Sequence, residues 1–176
     1  GTNESDTLLY SGAPVDPSRP IDLLTGWNWI GYLPQVSLPI NDALGSIGEA
    51  GIYIKSQEGF SDYYVGFGWF GAVDIMNPLG GYAINMVDSA TLLYPGAAAR
   101  IVDNFESTTN LIDDFDYRQF EFNGSVMVEV NIEDISISSS DILSAHVDGE
   151  YRGYTKAILF PLTNKYIFPL MIHGNT

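Results

Sequence analysis

The chain contains no cysteine. Disulfides, zinc–thiolate sites and thiol catalysis are therefore excluded. Positive charge is scarce, with seven Lys plus Arg against 22 Asp plus Glu and a formal net charge of −15. A protein this acidic is repelled by phosphate backbones and anionic lipid, so neither nucleic acid nor membrane insertion is expected. No apolar run reaches the roughly 18 residues of a membrane span, and no basic-then-apolar leader opens the chain. Gly1 is accordingly expected to begin a mature or trimmed product. Only two histidines are present. With no Gly-x-Ser-x-Gly elbow and no His-Glu-x-x-His helix, an enzyme is not expected.

What the sequence does have is apolar content spread along its whole length, 45% of 176 residues, together with 18 glycines and nine prolines. That combination describes many short elements joined by tight turns. The expected fold class is all-β: two small antiparallel β-sandwich or barrel-like modules with at most one or two short helices. Residues 1–20 read as an N-terminal strand and Pro-rich linker, 21–99 as the first module, 100–118 as an acidic linker and 119–176 as the second module. Within the first module, one strand is expected across Leu23–Leu33, and a short helix near Pro39–Ile47 capped by Asn41. In the second, Val126, Val128, Val130 and Ile132 alternate with polar residues as in a half-buried strand, and Asp148-Gly149 marks a hairpin turn. His173-Gly174-Asn175-Thr176 reads as a turn signal, which leaves the last sheet with an open edge.

An internal repeat is the most informative feature. Thr7-Leu8-Leu9-Tyr10-Ser11-Gly12-Ala13 recurs 84 residues later as Thr91-Leu92-Leu93-Tyr94-Pro95-Gly96-Ala97. Self-similarity at a fixed offset marks tandem modules. The later copy closes the first module, so the earlier one is expected to be the last strand of a preceding module, or an assembly strand (Thr7, Leu8, Leu9, Tyr10) that completes a sheet in a neighbouring copy.

Gly26-Trp27-Asn28-Trp29-Ile30-Gly31-Tyr32, Ile54-Lys55-Ser56-Gln57, Gly68-Trp69-Phe70-Gly71, Gly81-Tyr82 and Thr91-Leu92-Leu93-Tyr94-Pro95 together form a recognisable set. They resemble the Gly-Trp-Asn-Trp-Ile modules repeated in large secreted bacterial surface proteins, many of them exported by the type IX pathway. Ser144-Ala145-His146-Val147-Asp148-Gly149-Glu150-Tyr151-Arg152-Gly153 and the strand Tyr166–Ile172 resemble the usual neighbour of those modules. His146 departs from the pattern, standing where an aromatic is common. The resemblance implies an extracellular or cell-surface setting and an adhesive, carbohydrate-associated or scaffolding role. It supplies no catalytic residues.

Trp27 and Trp29 lie two apart on a strand, so both rings share a face. Between glycines, large aromatics ordinarily pack into a small β core. Exposed, the same pair would be a platform for sugar rings, and Tyr63, Tyr64, Phe67, Trp69 and Phe70 extend the candidate ligand-binding set. Asp113, Asp114 and Asp116 offer oxygen ligands to a calcium ion, as do Glu133, Asp134 and Asp141, with solvated acidic loops as the alternative. Two functions from different classes follow. One is a polysaccharide- or surface-polymer-binding module, and the other is a structural subunit of an extracellular filament joined to neighbouring copies by strand donation.

Overall fold

The computed structural model describes residues 12–13, 15–96 and 115–175. The assembly strand Thr7, Leu8, Leu9 and Tyr10, and the candidate calcium ligands Asp113 and Asp114, lie outside the described residues. The protein is all-β. From the N-terminus the elements are β1 (Ile21–Leu23), β2 (Gly26–Gly31), β3 (Leu38–Pro39), α1 (Ile40–Ala43), β4 (Gly51–Lys55), β5 (Phe60–Tyr64), β6 (Gly68–Gly71), β7 (Ile75–Met76), β8 (Gly81–Met86) and β9 (Ala90–Leu92).

Five of these strands form one antiparallel sheet in the order β2-β8-β4-β5-β6, and β1-β9 and β3-β7 make two small ladders beside it. Strand alternation gives the sheet an inner and an outer face. Ile30, Tyr82, Ile84, Met86, Ile54 and Trp69 point inward and join Leu38, Ile40, Leu44, Met76, Leu92 and Tyr94 in one buried core. Trp69 fits because Gly51 leaves room for its ring, whose Cζ2 would stand 2.8 Å from any Cβ placed there.

The single strand expected across Leu23–Leu33 is two. Gly26 takes a left-handed φ of 91° and turns the chain. Asn28 fastens the corner: its amide nitrogen donates to the Leu24 and Gly26 carbonyls at 2.6 and 3.0 Å, and the Leu24 amide donates to its Oδ1 at 2.9 Å. The expected cap also differs. α1 is a four-residue turn whose N-cap is Pro39, with no side-chain capping bond. Asn41 sits inside it and does something else. Its Nδ2 donates to the Trp69 carbonyl at 3.1 Å, and the Trp69 amide donates to its Oδ1 at 2.7 Å. These are the backbone groups of β6 that point away from β5, so one side chain stands in for a neighbouring strand and closes this edge of the sheet.

Residues 115–175 contribute β10 (Phe122–Val128), β11 (Ile142–Val147), β12 (Glu150–Lys156), β13 (Ile158–Phe160) and β14 (Lys165–Gly174). β10, β14 and β13 form a three-stranded sheet with β14 in the centre, and β11-β12 is a hairpin packed against β14. Its turn has the expected chemistry, with Asp148 at φ 53° and Gly149 at 85°. Gly153 permits the close approach, since a Cβ there would run into the Met171 carbonyl oxygen.

Two expectations fail here. β10 ends at Val128, beyond which only the bridge Ile132↔Ile135 forms, and Val126 and Ile132 stay 39% and 51% exposed. The alternating face is therefore partly covered only at Val128 and Val130 and is exposed at both ends. His173-Gly174 is not a turn but the end of β14, paired with Asn123 and Phe122 of β10. His173 is buried at 5% exposure among the rings of Phe115, Tyr117 and Phe120.

Asn41→Ala removes two hydrogen bonds and reopens the β6 edge, which should cost about 1–3 kcal/mol in denaturant unfolding, with Asn41→Asp between it and the wild type. Burial holds the His173 pKa below its ordinary value. The unfolded chain, whose histidine titrates near about 6.5, then takes up the proton first, so His173 makes stability decline as pH falls below that value. His173→Phe should flatten this decline, and an equal decline in both proteins would contradict the assignment.

Candidate functional site

The outer face of the five-stranded sheet is set by register. Trp29 lies opposite Ala83, and Ala83 opposite Lys55, which faces Phe60 on β5. The next row runs Trp27, Asn85, Tyr53, Asp62 and Phe70. Two rows of aromatic and polar side chains thus cross the sheet on the side away from its core.

The two halves of this face have different fates. Over β4, β5 and β6 it is covered by residues 115–175. Tyr64 and Phe70 both pack on Phe160, at ring separations of 4.9 and 5.0 Å. Phe60, although on the outer face, is 2% exposed and stacks on Tyr53 at 5.6 Å. Polar contacts line the boundary: the Tyr53 and Ser125 hydroxyls share a hydrogen bond of 2.5 Å, Lys55 Nζ donates to Asn123 Oδ1 at 3.2 Å, and the Tyr117 hydroxyl donates to Glu58 at 2.8 Å. Asp62 lies under this cover, and burial raises its pKa.

Over β2 and β8 the face is open. Trp27 is 57% exposed and Trp29 85%, so the core placement that tryptophans between glycines ordinarily take is overturned for this pair. The reason is parity. Ile30 is the residue of β2 that the core takes, and residues an odd number of positions away from it, Trp29 and Trp27, must point outward. Trp27 is nonetheless held in place. The Tyr53 ring meets it edge-on at 5.7 Å, and Lys55 Nζ lies 5.9 Å from its ring centre, within the range of a cation–π contact. Between the two indoles and β4 stand only Ala83, which is small, and Asn85, whose amide can both donate and accept.

The remaining candidates of the aromatic set part company with this pair. Trp69 is 4% exposed and its ring lies edge-on to Tyr63 at 5.4 Å, so it belongs to the core and offers no ligand face, which corrects the expectation for it. Tyr63 is half-buried on the same inner side. Tyr64 and Phe70 are occupied by Phe160, and Phe67, 41% exposed, leans on Phe70. The structure adds Tyr53, Lys55 and Asn85, none of which the sequence marked as a ligand-binding candidate. The alternation Ile52-Tyr53-Ile54-Lys55 marked their face, but only register brings them beside Trp27.

The acidic candidates that are described are tied up singly. Asp116 is engaged at the start of a helical turn, where its carboxylate accepts the Arg118 amide at 3.0 Å. Asp141 accepts from the Ser138 amide and hydroxyl at 2.7 and 3.2 Å. Among the described residues no group of three or more acidic or histidine side chains is placed to hold a metal ion.

Compared with models of protein families, with curated proteins and with solved structures, the chain matches none.

The contrast among the three tryptophans is directly testable. Trp27→Ala and Trp29→Ala should each alter unfolding free energy by less than about 1 kcal/mol, and Trp69→Ala should cost about 3–5 kcal/mol. Denaturant melts giving equal losses at all three positions would contradict this placement.

Proposed function

We propose that the chain is a non-catalytic, extracellular binding module of a bacterial surface protein that holds a neutral polysaccharide on the open half of its five-stranded sheet. The observation that carries this reading is the exposed indole pair Trp27 and Trp29 on one face of β2. Water-exposed tryptophans on a rigid strand gain free energy when a flat, partly apolar ring covers them, and little conformational entropy is lost because strand and ring are already ordered. Asn85, Lys55, Asn123 and Ser125 border the pair and supply donors and acceptors for hydroxyl groups. The net charge of −15 opposes sulfated or uronate-rich polymers and leaves neutral ones as the favoured class. The likeness of Gly26–Tyr32 to modules of secreted bacterial surface proteins supports the cell-surface setting. The second reading, a filament subunit joined by strand donation, is favoured by the duplicated Thr-Leu-Leu-Tyr segment.

Affinity electrophoresis of the full chain through gels containing xylan, mannan, mixed-linkage glucan or a sulfated galactan tests the first reading. Retardation by at least one neutral polymer is expected, with Trp29→Ala weakening it by about tenfold, or roughly 1.4 kcal/mol. Absence of retardation in every neutral gel, or retardation unchanged in both Trp27→Ala and Trp29→Ala, would overturn it.

A further inference from the structure

The second copy of the repeat has a defined task in the fold. β9 pairs with β1 in the register Ile21↔Leu92 and Asp22↔Thr91. The Thr91 hydroxyl donates to Asp22 Oδ1 at 3.0 Å. Leu92 has no exposed surface and Tyr94 only 2%. The Tyr94 ring meets Tyr32 edge-on at 5.1 Å, and its hydroxyl donates to the Gly31 carbonyl at 3.2 Å. Leu93 alternates with them and is 45% exposed. A slot made by Ile21–Leu23, Gly31 and Tyr32 is therefore filled by two side chains, a leucine and a tyrosine two residues on, while the threonine before them holds Asp22 at the exposed rim.

The same three groups stand at Thr7, Leu8 and Tyr10, with Leu9 at the position that faces outward in the second copy. Over the seven-residue repeat the only difference is Ser11 for Pro95, which lies past the slot-filling residues. Each chain thus carries two copies of the sequence that fills this slot. The slot of the chain itself is held by Thr91–Tyr94, which follows β8 after only four intervening residues and is kept at high local concentration by that short tether.

We infer that Thr7–Tyr10 is a second plug, seated in the β1 slot of another copy of this chain when that copy's own Thr91–Tyr94 strand is displaced. Because Thr7, Leu8 and Tyr10 carry the same side chains as Thr91, Leu92 and Tyr94, the exchange trades like for like, as in domain swapping. This inference rests on the strand-donation reading, which it deepens by naming the acceptor slot, and is independent of the polysaccharide reading, since none of its residues belongs to the Trp27–Trp29 face.

The absence of cysteine makes the test clean. Thr91 and Asp22 are cross-strand partners with touching side chains, so Thr7→Cys in a donor and Asp22→Cys in an acceptor come within disulfide reach when the plug is seated. The acceptor also carries Leu92→Ala, which weakens its own plug. Mixed as full-length proteins in a glutathione buffer, the two should give a disulfide-linked heterodimer. Its yield should fall by more than about tenfold when the donor also carries Leu8→Ala, because a buried leucine is lost. A yield insensitive to Leu8→Ala would overturn the inference. So would a single chain bearing Thr7→Cys, Asp22→Cys and Leu92→Ala that closes only within itself at every protein concentration. An acceptor with Tyr94→Phe in place of Leu92→Ala, which removes only the bond to Gly31, repeats the measurement should the first acceptor fold poorly.

Discussion

Strand register between β2 and β8 is the constraint on which the rest of this structure depends. With Ile30 opposite Tyr82 and Asn28 opposite Ile84, Ile30, Tyr82, Ile84 and Met86 fall on one side and build the core. A slip of one residue would bury Trp27 and Trp29 and expose Ile30, exchanging every side chain between the faces. The core settles which alternative is realised: Ile54, Ile84, Met86 and Trp69 already fill the inner side, and Gly51 is shaped for one indole there. The exposed tryptophans are thus a consequence of how the inner face is packed.

The two edges of the five-stranded sheet are treated differently. At β6 the outward amide and carbonyl of Trp69 are both taken by Asn41. At β2 alternation turns the backbone groups of Trp27, Trp29 and Gly31 outward, because the Tyr32 amide bonds inward to Gly80. The Gly31 carbonyl accepts from Tyr94, whereas those of Trp27 and Trp29 meet no partner among the described residues. The aromatic pair therefore sits on the less protected margin of the sheet, where a ligand has access both to the rings and to the strand that carries them.

Much of the fold was legible in the sequence, because its signals are local. The β-rich class followed from glycine punctuation, the hairpin at Asp148-Gly149 from turn chemistry, and the importance of Thr91–Tyr94 from repetition. What escaped the sequence depends on partners distant along the chain. Whether Trp27 and Trp29 are core or surface is decided by β8, over 50 residues away, and the role of Asn41 by Trp69, 28 residues away. His173 looked like the start of a terminal turn because Gly-Asn-Thr follows it, yet pairing with β10 extends the strand through Gly174. The alternation from Val126 to Ile132 was real as a pattern, but the pairing with β14 ends at Val128 and the strand stops there.

The central claim is that one face of the sheet holds two tryptophans in water, ready to be covered by a sugar polymer, while the third is sealed in the core. Acrylamide quenching of the intrinsic fluorescence of the full chain, with and without the neutral polysaccharide that retards it most, tests this directly. The account predicts a larger, readily quenched component and a smaller protected one in the free protein, with the quenched component becoming protected as polymer is added. A free protein in which most of the tryptophan emission resists the quencher, or a bound one in which quenching is unchanged, would contradict it.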